Sequence, residues 1–117
     1  MAIANTFPPK ISRYNDTNVR DVIDFYCHHE CRPFCLTIRT EYLGPTDVLG
    51  SCYRSSDLLG DSIHYQAADY SLSTVENHLN SAINLIREFR KGTYQLERYQ
   101  STDDGYLFAF NRIEDGN

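Results

Sequence analysis

A chain of 117 residues has the length of one domain, and at this size folding hides about two-thirds of the surface that the unfolded chain exposes, enough for one core and not for two. Hydrophobic residues at 41% and charged residues at 23% are ordinary for a globular protein, and no apolar run reaches the ~20 residues that a membrane-spanning helix needs. A net charge of -5 argues against direct binding to a nucleic-acid backbone, which calls for clustered Lys and Arg.

The opening residues Met1–Asn5 lack the basic head and apolar stretch of a secretory signal, which sets the expectation of a cytoplasmic protein. In that compartment Cys27, Cys31, Cys35 and Cys52 are expected as reduced thiols. Charge is unevenly spread: no Lys or Arg occurs between Arg54 and Arg87, whereas Asp57, Asp61, Asp69 and Glu76 fall inside that interval.

In chain order, residues 1–15 contain Pro8-Pro9 and no apolar periodicity, and read as an extended arm. Asp16 or Thr17 can cap a short helix from Asn18 to Cys31, in which Val19, Val22, Ile23, Tyr26 and Cys27 recur at three- and four-residue steps; Pro33 ends it. From Phe34 to Tyr42 the chain alternates, with Phe34, Leu36 and Ile38 on one face and Thr37, Arg39 and Glu41 on the other, which predicts a half-buried strand. Gly44-Pro45-Thr46-Asp47 has turn chemistry, and Val48 to Tyr53 reads as a second strand of a hairpin. The polar stretch Arg54 to Asp61 suits a loop, and Ser62 to Gln66 has the composition of a short third strand.

Ser73-Thr74-Val75-Glu76 matches a capping box and predicts a helix start. Val75, Leu79, Ala82, Ile83, Ile86 and Phe89 supply the apolar stripe, and Asn77, Asn80, Asn84, Arg87 and Lys91 an opposite polar ridge expected to face solvent. Arg87, Arg90 and Lys91 suit the C-terminal dipole, and Gly92 a left-handed stop. Thr93 to Gln100 and Tyr106 to Ile113 read as a closing hairpin around Ser101–Gly105, a polar loop ending in a glycine that can take positive φ; residues 114–117 read as a polar tail. The expectation is one compact α+β domain over residues 1–117, an antiparallel sheet of four or five strands with the long helix on one face and a shorter N-terminal helix.

Three functional readings follow. No catalytic signature accompanies any nucleophile, so the first is a non-enzymatic, cofactor-free protein-binding domain, an acidic inhibitor or regulator. It would act through tyrosine-rich sheet edges or the acidic segment, with Asp57, Asp61, Tyr65, Asp69, Tyr70 and Glu76 as contact residues. A basic nucleic-acid-binding protein fits as partner, because carboxylates can imitate phosphates, and small viral antagonists of host defence proteins suit the same description. The second reading is an oligomeric small-molecule binder in which Tyr99 stacks a ligand and Arg87, Arg90 or Arg98 holds its charge. The third is a zinc- or thiol-dependent protein built on Cys27, His28, Cys31 and Cys35. There the helical spacing of Cys27 and Cys31 permits shared coordination but lacks the usual C-x2-C turn. Asp103-Asp104, beside Gly105, are read as turn formers rather than paired catalytic acids.

Overall fold

A computed structural model describes residues 11–12, 18–20, 22, 36–45, 50–58 and 62–113. Alternation along Leu36–Leu43 produces strand β1, with Leu36, Ile38 and Thr40 buried and Arg39 exposed between them. Strands β2 (Cys52–Asp57) and β3 (Ile63–Ala67) follow, then the helix α1 (Thr74–Phe89), and then β4 (Thr93–Ser101) and β5 (Gly105–Ile113). The five strands form one antiparallel sheet in the order β3-β2-β1-β5-β4. Helix α1 packs on one face against β1, β2, β3 and β5. The core between them contains Ile38, Leu79, Ile83, Leu85, Ile86, Phe108 and Phe110, joined by Ile11, Val19 and Val22 from the N-terminal part of the chain. Of the predicted N-terminal helix, only Asn18, Val19, Arg20 and Val22 are described, and the rest of 18–31 lies outside the described residues, as do residues 1–10 and the tail 114–117.

The capping box forms as predicted. The Ser73 hydroxyl accepts from the Glu76 N–H at 3.3 Å, and the Glu76 carboxylate accepts from the Ser73 N–H at 2.8 Å. At the other end Arg90 takes an extended conformation, its N–H still bonded to Ile86 O, and Gly92 turns the chain at φ +97°.

Three expectations need correction. Residues 54–57, predicted as loop from their polarity, are strand, and β2 begins at Cys52, after Gly50 and Ser51, which were also assigned to it; Val48 and Leu49 lie outside the described residues. The inward residues of β2, Tyr53, Ser55 and Asp57, are mostly polar, so hydropathy does not alternate although burial does. Of the polar ridge only Lys91, just past the end of α1, faces solvent as expected: Asn77 is buried, Asn80, Asn84 and Arg87 are partly buried, and Phe89, assigned to the apolar stripe, is exposed. Gly105 does not take positive φ. A Cβ built on it would stand 1.9 Å from Thr40 O, so glycine is there to let β5 approach β1.

Polar side chains order the interface between α1 and the sheet. The Ser55 hydroxyl donates to Ser81 O at 2.9 Å while the Ser81 hydroxyl donates to Tyr53 O at 3.1 Å. Asn84 donates to Gln66 Oε1 at 3.0 Å, His64 Nδ1 lies 3.0 Å from Glu88 Oε1, and the buried Asp57 carboxylate pairs with Arg90.

Replacing Gly105 by alanine forces Thr40 and β5 apart and is expected to lower unfolding free energy by roughly 2–3 kcal/mol, the upper range for overpacking. Gly50→Ala, where nothing lies within 4 Å, is the control, and urea unfolding of both variants should leave it within about 0.5 kcal/mol of the parent.

Candidate functional site

The register of β1 with β2 sets Tyr42 directly opposite Tyr53 on the face that carries α1, with ring centroids 5.2 Å apart. Helix α1 starts at Thr74, and the segment before it folds over this end of the strands. Asn77 holds that segment: its Oδ1 accepts from the Asp69 N–H at 2.8 Å, and its Nδ2 donates to the carbonyls of Asp69, Leu72 and Ser73 at 2.9, 3.3 and 3.2 Å. The Asp69 carboxylate accepts from the N–H and hydroxyl of Ser71, and Ala68 N–H bonds Ser51 O. Tyr70, at the tip of this latched turn, is 87% exposed. Together Tyr42, Ser51, Tyr53, Ala68, Tyr70 and Leu72 wall a hollow of ≈ 380 Å³. Tyr42 Oη and Ser51 Oγ stand 2.9 Å apart at its rim. Burial, and secondarily the neighbouring Tyr42 and Tyr70, raises the Tyr53 phenol above its ordinary value, so it remains a neutral hydroxyl.

Beneath Tyr53 lies His78, which is 2% exposed, with edge contacts to Tyr53 at 4.7 Å and to Tyr106 at 4.9 Å. Its Nδ1 is 2.8 Å from Thr40 Oγ1. Burial pushes its pKa down to about 4, against a smaller upward pull from Asp104, so the imidazole is neutral at physiological pH. A row of rings thus runs Tyr42–Tyr53–His78–Tyr106–Phe108 from the hollow into the core. Such an arrangement offers aromatic faces and neutral hydroxyls to a ligand, with the imidazole closed off from solvent.

The six residues predicted for protein binding are divided by the fold. Asp69, Tyr70 and Glu76 gather at the start of α1 beside the hollow. Hydrogen bonds from Ser71 hold the Asp69 carboxyl below the usual carboxylate range, and the Ser73 N–H does the same for Glu76, which also pairs with Arg20 at 3.4 Å. Asp57 is interior and paired with Arg90, Tyr65 stands exposed on the sheet face away from α1, and Asp61 lies outside the described residues. Of the four ligand-binding candidates, Arg98 and Tyr99 line a separate hollow of ≈ 250 Å³ with Thr37 and Leu107, whereas Arg87 and Arg90 belong to the end of α1. Cys27, His28, Cys31 and Cys35 lie outside the described residues; Cys52 is a free, half-buried thiol. Among the described residues no group of three or more His, Cys, Asp or Glu is placed to hold a metal ion. Asp104 accepts from the Thr102 hydroxyl and pairs with Arg39 at 3.0 Å, in keeping with a turn role.

Tyr42, Ser51, Tyr53 and His78 were not singled out as a group from sequence, because their convergence depends on the β1–β2 register and on where α1 starts. Searches against protein-family models, curated proteins and solved structures find no match to this chain.

Because His78 is neutral when folded down to about pH 4 but titrates near 6.5 when unfolded, the unfolded state binds the extra proton as pH falls through that window. The contribution is therefore intact above about pH 6.5 and is lost progressively toward about pH 4, by roughly 3 kcal/mol in total. Urea unfolding at intervals across this range is expected to show that slope in the parent and its disappearance in His78→Phe.

Proposed function

We propose that this domain is a non-enzymatic protein-binding module, an acidic inhibitor or regulator that seats an apolar side chain of its partner between Tyr42, Tyr53 and Tyr70. The observation that carries this reading is Tyr70, a large ring almost wholly in solvent on a turn latched by Asn77, standing over a concave aromatic wall. The backbone that carries the ring is fixed by Asn77, so binding has only the side chain to order, and tyrosine with its two side-chain torsions is enriched among interface hot spots for that reason. The ionised Asp69 and Glu76 beside it, in a chain of net charge -5, favour a partner segment that carries Lys or Arg next to its apolar anchor. A binding role rather than a catalytic one is supported by how the nearby ionisable groups are engaged: Asp69 with Ser71, Glu76 with Ser73 and Arg20, and His78 under Tyr53.

Affinity selection from a random peptide display library on the immobilised protein is expected to yield peptides with an aromatic or aliphatic anchor flanked by basic residues. Tyr70→Ala should weaken a selected peptide at least about 10-fold, and Tyr65→Ala, on the other sheet face, should leave it unchanged. Selected peptides indifferent to Tyr70, or a small molecule retained in native mass spectra and displaced by none of them, would overturn the reading in favour of another surface or a small-ligand site.

A further inference from the structure

The two edges of the sheet are treated differently. On the β4 side Ile11 and Tyr94 exchange both backbone bonds at 2.9 Å, and the strand is bent by a register shift between Leu96 and Arg98, with Glu97 and Arg98 adding charge. Bulges, charges and covering segments are the means by which natural sheets keep an edge from pairing with another chain. Strand β3 has none of them among the described residues: Ile63-His64-Tyr65-Gln66-Ala67 contains no Lys, Arg, Asp, Glu or Pro, and its register with β2 is unbroken. Among the described residues nothing pairs with its outer side.

The register also says which groups face outward. Asp57 N–H bonds Ser62 O and Ala68 N–H bonds Ser51 O, so Ser62, His64, Gln66 and Ala68 direct their backbone groups to β2, and the alternate residues Ile63, Tyr65 and Ala67 direct theirs away from the sheet. All three are exposed, Ile63 at 46% and Tyr65 at 59%.

The geometry points to β3 as a self-association edge, on which a second copy of this chain lays its own β3 antiparallel about a two-fold axis that passes midway between the two Tyr65 residues, joining the two sheets into one. A second copy fits because the outward set is its own complement. Centred on Tyr65, the pairing sets Tyr65 against Tyr65 of the second copy and Ile63 against Ala67 of the second copy, and every pair is of the type that exchanges both backbone bonds. The opposed side chains lie on one face as a tyrosine pair flanked by Ile–Ala contacts, with no like charges opposed in the strand. Helix α1 runs along β3 in the opposite direction, Asn84 beside Gln66 and Glu88 beside His64, so the same axis brings the last turns of the two helices to one level, where Arg87 and Glu88 supply adjacent opposite charges. This edge is separate from the tyrosine hollow and does not depend on it.

A five-residue edge buries less than the roughly 1,200 Å² of a standard interface, so reversible association is expected, and sedimentation velocity of the full chain from about 10 µM to about 500 µM should show a shift from monomer to dimer mass. Hydrogen exchange should slow at the amides of Ile63, Tyr65 and Ala67 over the same range, and stay unchanged at His64 and Gln66, which already bond β2. The double variant Ile63→Lys/Ala67→Lys opposes like charges across the axis and should abolish the dimer, whereas Ile63→Lys/Ala67→Glu opposes unlike charges in the same register and should retain it. Retention in the second variant also shows that a charged β3 still folds. A chain that stays monomeric throughout, a dimer indifferent to the Lys/Lys variant, or loss of the dimer in both variants would overturn the proposal.

Discussion

The crossed hydroxyls of Ser55 and Ser81 fix where α1 lies on the sheet, and much of the structure depends on that placement. Each donates to a backbone carbonyl of the other element, and both are fully buried. A buried hydroxyl left without an acceptor costs about 1–3 kcal/mol, so sliding or rotating the helix by one residue is penalised at two points at once. Apolar contacts alone would tolerate such a shift far better, since Leu79, Ile83 and Ile86 are similar in size and the hydrophobic effect has no direction. With the helix pinned at Ser81, His78 comes to rest under Tyr53 and Asn77 reaches back to Asp69, Leu72 and Ser73. The hollow therefore inherits its shape from a contact a full turn further along the helix.

What was legible in the sequence was what is local. The capping box at Ser73 and the alternation in β1 are each decided within a few residues and form as read, and Gly92 takes the positive φ read for it, although α1 already ends at Phe89 with Arg90 extended. The fourth and fifth strands and their hairpin were likewise visible, because two stretches rich in aromatic residues flank a short polar loop that ends in glycine. β2 was half missed for the converse reason. Ser55 and Asp57 point inward although they are polar, and only their partners Ser81 and Arg90, distant in sequence, make that tolerable. Asn77 misled in the same way: three or four residues from other polar positions it reads as a solvent ridge, and nothing short of the fold reveals that its amide bonds the preceding turn. The role of Gly105 was opaque because a glycine required for close approach and one required for positive φ look identical in a sequence.

The heavy aromatic content, which suggested exposed strand surfaces, is distributed more economically than composition implied. Tyr53 and Tyr106 sit with His78 in a row continuous with Phe108 and Phe110, so these rings extend the core toward its rim, and only Tyr42, Tyr65 and Tyr70 among the described tyrosines are left substantially in solvent. Two of those three flank the hollow and the third stands on the edge strand. The exposed tyrosine rings among the described residues thus lie at two separate surfaces, one on the helix side of the sheet and one on its far side, so occupation of one leaves the other accessible.

The strand order bears on how the sheet is assembled as the chain is made. β1 lies in the middle, yet its two neighbours are unequal in sequence distance: β2 follows within a short connection, while Leu36 waits for Phe110 and Ile38 for Phe108. A nascent chain that has reached β3 can form the three-strand meander, but β1 then keeps one side unpaired and Leu36 and Ile38 lack the rings that cover them. Such long-range pairing slows folding, since loop closure must precede any contact that rewards it. The same arrangement leaves the half-made sheet with an open central strand, the state in which a growing chain most needs shielding from its neighbours. In this fold the strand synthesised last of the five is the one that closes the middle.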